Sequence, residues 1–394
     1  MVCTIISSNL RVNLLIINIY NLMNLKKIIV SIGLYISIST ASQPGDTLIM
    51  KAVNAFYNYE TAGAITILDS ARIEYPDNPL AHFTWVAAQM LHSEANNSTE
   101  KTYLILNQSL DTVIPILQIL EKKYPQDPIY SLYLGCSIGL RARVSLGRKQ
   151  WFYTLVNAYK GLRLIQNVAR ENPDLIDALL PIGIVEYYAA LNPGLIQWGI
   201  RLMGIKANRK EGLAKIEKAA TEGEYSSNEA KKIFAFISLW VEGNPQSAIK
   251  YSRLLREKYP QNYFFGVLLL ECLIQMEKYQ EAQIQFSKLE EEYNFLTPIQ
   301  QDWYWSYYIY ELALFQFLHG DNDESLIHVE EAINAYNAEL DIILGNAWLL
   351  KGMIHDRKNN RYEAIKAYQV CVSLDNNSSA IQSAKEYLEL PFID

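Results

Sequence analysis

From residue 46 to about residue 385 the apolar positions of this chain recur at helical spacing, and they recur in one repeated phrase. A small residue is followed four positions on by a larger apolar one, and three further on by another, so that all three share one face of a helix. The phrase opens with Ala64, Leu68 and Ala71 and closes at Pro76, whose missing N–H and ring clash stop a helix. It returns as Val113, Leu117 and Leu120 before Pro125, as Gly161, Ile165 and Val168 before Pro173, and as Gly212, Ile216 and Ala219. Then come Ala248, Ser252 and Leu255 before Pro260; Ala282, Phe286 and Leu289; Ser325, Val329 and Ala332; and Ala364, Tyr368 and Cys371. Small residues at these places let two helices approach closely, so each phrase predicts the second helix of an antiparallel pair, eight pairs in all. No stretch of the body alternates as strands do between hairpin turns, and the predicted class is all-α.

The starts of the helices are equally legible. Pro76-Asp77-Asn78-Pro79 and Pro125-Gln126-Asp127-Pro128 each end one helix and begin the next, with Asn78 or Asp127 as N-cap and a proline at the first helical position, where a missing donor costs nothing. The helix that follows should carry a compact residue nine or ten positions after the terminating proline, where Leu134-Gly135 and Ile182-Gly183 sit. Gly352, four residues after Trp348, takes the matching place in the last unit. Ala248 and Ala282 lie 34 residues apart in the same local phrase, whereas the steps from Ala64 to Gly212 are about 50. The extra residues predict a hairpin with long arms from Ile129 to Arg170, and an inserted apolar turn or short helix from Asn192 to Gly204.

A period of 34 with a Trp-and-Gly first half and an Ala-bearing second half resembles the tetratricopeptide repeat superfamily over residues 46–385. The resemblance implies a right-handed α-solenoid of stacked helix-turn-helix hairpins, about seven to eight repeats, with longer hairpins in the N-terminal half. It also implies that the first helix of each hairpin lines the inner curve through its second, fifth, ninth and twelfth positions. Those positions fall on Phe264, Val267, Glu271 and Ile274; on Tyr307, Tyr310, Leu314 and Phe317; and on Asn346, Leu349, Met353 and Asp356, with Arg357 beside them. The middle region is similar to the eukaryotic inclusion-body clearance family through Gly183, Tyr187, Asn192-Pro193 and the run from Gly204 to Gly212-Leu213, which implies shared scaffold ancestry.

The first 42 residues follow another pattern. Lys26 and Lys27 precede an apolar run from Ile28 to Ile38, and Ser39-Thr40-Ala41 supplies a small-x-small cleavage signal, as in a secretory signal peptide starting at Met23; residues 13 to 38 taken together could instead serve as a signal anchor. The expected organisation is therefore a leader over 1–42, degenerate long repeats over 43–210 with the apolar insertion at 191–204, regular repeats over 211–385, and a tail over 386–394. Expected localisation is extracytoplasmic: secreted, periplasmic or associated with an outer membrane. Loss of the leader removes Arg11, Lys26 and Lys27 and no acid, taking the formal charge from -7 to -10. That balance disfavours nucleic acid as a partner, since the basic clusters at 141–149 and 201–210 are short and read as solvated helix faces. Cys136, Cys272 and Cys371 lie on separate apolar helix faces and read as small buried hydrophobes rather than a disulfide framework.

Catalytic patterns are missing from the sequence: the five histidines are dispersed, no phosphate-cradling glycine loop or nucleophile elbow is present, and neither a cofactor nor a metal is predicted. Tyrosine is abundant instead, 27 in all, densest at Trp303-Tyr-Trp-Ser-Tyr307-Tyr308-Ile-Tyr310. Trp303, Tyr304 and Tyr308 read as filling between helices. The expected partner-binding residues are Tyr307, Tyr310, Phe264, Phe317 and Arg357 on the inner curve, with Trp198 in the insertion as a docking element for a protein or membrane surface. The expected function is a non-enzymatic scaffold holding a protein or peptide; the alternative is a solenoid that encloses a lipid or small hydrophobic ligand.

Overall fold

The computed structural model describes residues 43–148, 150–191, 204, 206–338, 341–374 and 376–393. The leader, Trp198 and residues 192–203 of the insertion lie outside the described residues. Among the described residues there are helices and no strands. They come as eight pairs: α1 (Asp46–Tyr57) and α2 (Thr61–Glu74); α3 (Pro79–Asn96) and α4 (Thr99–Lys123); α5 (Pro128–Gly147) and α6 (Trp151–Glu171); α7 (Leu179–Leu191) and α8 (Arg209–Glu222). The later pairs are α9 (Ser227–Phe236) and α10 (Pro245–Lys258); α11 (Tyr263–Gln275) and α12 (Tyr279–Tyr293); α13 (Pro298–Leu318) and α14 (Asn322–Ala335); and α15 (Ile342–Arg357) and α16 (Arg361–Ser373), with α17 (Ser379–Glu389) closing the row.

Two turn types build the row. Within five of the pairs one residue turns left-handed, Tyr59, Gly243, Glu277, Gly320 or Asn359. In four of these the next N–H reaches five residues back, as Lys278 N to Leu273 O at 2.9 Å and Asn360 N to His355 O at 2.8 Å, which satisfies carbonyls the ending helix would leave bare. At Gly243 the reach is six residues, Asn244 N to Ser238 O at 2.7 Å, because Ile237–Val241 widens into a π turn that continues α9. Between pairs the prolines act as expected. Asn78 Oδ1 accepts from Leu80 N at 2.9 Å, Asp127 Oδ1 from Ile129 N at 3.1 Å and Asn262 Oδ1 from Phe265 N at 3.2 Å.

The small residues sit where paired helices meet. A Cβ on Gly212 would stand 2.6 Å from Tyr187 N and 2.8 Å from Gly183 O, and one on Gly161 would stand 2.6 Å from Gly135 O. Gly352 faces the ring of Tyr368. Ala64, Val113, Ala248, Ala282, Ser325 and Ala364 hold the equivalent place in the other pairs and are fully buried. The first helices also pack on one another, α3 on α5, α9 on α11, α11 on α13 and α13 on α15, forming the inner layer of an all-α solenoid. Helices α4, α5 and α6 run to 25, 20 and 21 residues against 15 and 13 for α12 and α16, and α13, in the half expected to be regular, also runs to 21. Helix α4 is long and apolar enough by composition to cross a membrane, and here Leu106, Leu110, Val113 and Leu117 are buried where it packs between α3 and α5.

Candidate functional site

The start of the row docks on later helices of the same chain. Helix α1 buries Ile49, Ala52, Val53 and Phe56 in the same apolar cluster as Phe234, Trp240, Tyr259 and Phe265. Polar contacts fix that docking across about two hundred residues of sequence. Tyr57 Oη donates to Glu229 Oε2 at 2.8 Å, Tyr259 Oη to Asn54 Oδ1 at 2.9 Å, and Asn262 Nδ2 to Tyr57 O at 2.8 Å. Tyr59 and Tyr304 share a hydroxyl bond at 2.9 Å, Thr297 Oγ1 donates to Ala95 O, and α3 packs directly on α13. The first two pairs thus fold onto the inner ends of α11 and α13.

The residues predicted for the inner curve divide by burial. Tyr310 and Phe317 are 4 % and 1 % exposed, and Val267, Glu271 and Ile274 are likewise buried. Phe264, Tyr307, Leu314, Leu349 and Met353 are half-buried, so a discontinuous aliphatic and aromatic strip remains along α11, α13 and α15. Tyr307 stacks on Tyr336 with ring centroids 6.4 Å apart. Burial pushes its phenol up to about 12 although the side chain keeps accessible surface, which puts it in a recess rather than on an outer face. Tyr304 and Tyr308 fill between helices, their rings 5.0 Å from Tyr263 and 5.8 Å from Phe286. Arg357 lies with its guanidinium carbon 3.6 Å from the Phe317 ring centroid and donates from Nη1 to Phe317 O at 2.6 Å. Trp198 lies outside the described residues.

A feature the sequence reading passed over is a buried acid pair. Glu271 on α11 and Glu311 on α13 are both 0 % exposed. Glu271 accepts from Trp240 Nε1 and from Gln275 Nε2, the latter at 2.7 Å. Neither oxygen of Glu311 meets an N–H donor, and its neighbour is the Glu271 carboxyl. Burial raises Glu271 to about 7; it raises Glu311 well above the carboxylate range, and the Glu271 charge raises Glu311 further. Two carboxyls beside each other in an apolar interior hold one proton between them. Enclosed as it is, the pair touches no solvent-borne molecule and acts on the stability of the helix stack. The sequence signal was an acid inside an unbroken apolar run, Leu268-Leu-Leu-Glu271-Cys-Leu-Ile274.

Part of the surface charge is compensated within the stack. Arg141 pairs with Asp111 at 2.6 Å, Arg143 with Glu94 at 3.3 Å, Arg148 with Glu100 at 3.1 Å and Arg209 with Glu242 at 2.7 Å, so these cations are spent within the stack. Cys136, Cys272 and Cys371 are free thiols, each raised to about 12 chiefly by burial. Among the described residues no three His, Cys, Asp or Glu side chains gather as a metal would require.

No family model and no curated protein matches the sequence. Solved structures similar to it include the human IFIT1 dimer with PPP-AAAA, 10% identical over 89% of this chain and 86% of that one, at a TM-score of 0.40. The apo form of the quorum sensor NprR from B. thuringiensis is 16% identical over 84% of this chain and 98% of that one, also at 0.40. A tetratricopeptide repeat protein from Parabacteroides merdae ATCC 43184 is 14% identical over 88% and 98%, at 0.26. The hairpins themselves, with their paired small residues and two recurrent turns, are built like tetratricopeptide-type helical repeats.

Proposed function

We propose that the chain is a non-enzymatic, extracytoplasmic scaffold that holds a protein or peptide segment along the remaining inner-curve strip. The observation that carries this reading is the half-buried run of Phe264, Tyr307, Leu314, Leu349 and Met353 on three successive first helices. Apolar surface left open along these helices is where association removes the most area from water, at about 25 cal/mol per Å². A protein partner fits better than nucleic acid, because the formal charge is -7 and Arg141, Arg143 and Arg148 already pair with acids. The leader pattern over residues 1–42 supports placement outside the cytoplasm.

The test is a photo-cross-linking residue in place of Tyr307, compared with one at the outward-facing Ile284, in cells that carry the native partner. A protein adduct at Tyr307 that is lost with Phe264→Ala supports the reading. Equal adducts at both positions, or none at Tyr307, count against it. A hydrophobic small molecule retained by the purified protein in native mass spectrometry would favour the ligand-enclosing alternative instead.

A further inference from the structure

The tail at residues 390–393 is seated in a way that its sequence does not require. Phe392 N donates to Asp356 Oδ2 at 2.9 Å, an oxygen that also accepts from Tyr368 Oη at 2.9 Å. The Asp356 side chain is 2 % exposed and is held by Arg361 Nη1 at 3.0 Å. Around the Phe392 ring stand Phe317 at 5.9 Å, Tyr387 edge-on at 5.3 Å, and the Arg357 guanidinium at 5.7 Å. Arg361 Nη2 donates to Tyr387 O at 2.6 Å and to Leu388 O at 3.0 Å, which fixes where the chain leaves α17. On either side of this seat Leu390 and Ile393 are exposed. One ring and one N–H are held, while two apolar flanks stand in solvent. That is the contact pattern of a short bound segment, with one aromatic anchor and a backbone donor read by a buried carboxylate.

We infer that Phe317, Asp356, Arg357 and Tyr387 form a recognition site for an extended peptide segment carrying one aromatic side chain, and that the chain's own tail occupies it as an internal ligand. A protein segment of the same chemistry displaces the tail: its backbone N–H replaces that of Phe392 on Asp356, and its ring takes the place beside Phe317, Arg357 and Tyr387. This rests on the scaffold reading above and gives one seat of that scaffold its ligand. A tether of a few residues presents the tail at an effective concentration of about 1 mM, so a free peptide that binds the empty seat with a dissociation constant near 100 μM is held off about tenfold in the intact chain.

The experiment titrates a fluorescein-labelled peptide of residues 389–394 against the full-length protein and its Phe392→Ala variant, followed by fluorescence anisotropy. The variant is expected to bind about tenfold more tightly than the wild type, to ignore a peptide with alanine in place of its phenylalanine, and to lose the peptide when Arg357→Ala is added. Equal binding to both proteins, or no binding to a variant that melts like the wild type, overturns the inference. Should Phe392→Ala not fold, Arg357→Ala in the full chain gives a second reading: chymotryptic cleavage after Phe392 should accelerate at least tenfold, and an unchanged rate overturns the inference. A captured partner at Tyr307 without peptide binding here removes this seat and leaves the scaffold reading standing; peptide binding here with no adduct at Tyr307 does the reverse for the inner strip.

Discussion

Replacing Glu311 with glutamine should make this protein more stable, and more so as the pH rises. Glu271 and Glu311 are enclosed between α11 and α13 without a basic partner for Glu311, and both carboxyls titrate higher in the fold than in an open chain. A group whose folded pKa is raised binds more protons folded than unfolded, so stability falls as pH rises from the unfolded value through the folded one and stays lost above it. For Glu271 that window runs from 4.5 to about 7. That displacement is Glu271's own, set chiefly by its burial, and it stays when Glu311 is replaced; what the substitution relieves is an unsatisfied buried carboxyl beside a like charge, a cost of about 3 kcal/mol for a charged group without a donor. Glutamine at 311 removes the like charge and offers an amide N–H to the Glu271 carboxylate, which already accepts from Trp240 on one oxygen and from Gln275 on the other. With about 2.1 cal/mol/K per residue over the 348 residues from Thr47 to Asp394 (394 − 46), the gain is about 4 °C in melting temperature at pH 8 and close to none at pH 4.5. Circular dichroism melts of both proteins at the two pH values measure it. A variant that melts lower at pH 8, or whose shift is the same at both pH values, refutes the shared-proton argument. Glu271→Gln should gain less, because its amide can accept on one oxygen only while Trp240 and Gln275 address two.

Two other substitutions probe the stack. Glu277 is exposed at φ 56, where a side chain meets the following carbonyl, and Glu277→Gly should raise stability by about 1 kcal/mol; a lower melting temperature would show that the turn is fixed by contacts other than its backbone. Gly212→Ala should lose about 1–3 kcal/mol, because the new methyl would stand against backbone atoms of Tyr187 and Gly183, which cannot swing aside as a side chain does. Thermal melts of the two variants should therefore move in opposite directions, and a neutral Gly212→Ala would mean that α7 and α8 can part without cost.

What could be read from the sequence was what depends on neighbours. The small residue that heads each second helix, the proline that ends it and the asparagine or aspartate that caps the next all act within a few residues, so each leaves its mark at a fixed offset. The helix pairs follow from those marks, and so do the long arms of α5 and α6, because added length shows directly as a longer period. Closure of the row is of another kind. Asn54, Tyr57 and Tyr59 meet Tyr259, Asn262 and Tyr304 only because the accumulated curvature of the intervening pairs brings them together, and no local period encodes a sum of small rotations. The same reasoning explains why the inner-curve positions divided as they did. Phe264 and Tyr307 stand half-open, whereas Tyr310 lies against the acid pair and Phe317 beneath Arg357 and the tail. Position within a repeat fixes which way a side chain points, and only the path of the whole chain determines whether solvent, a partner or another part of the same chain is there to meet it.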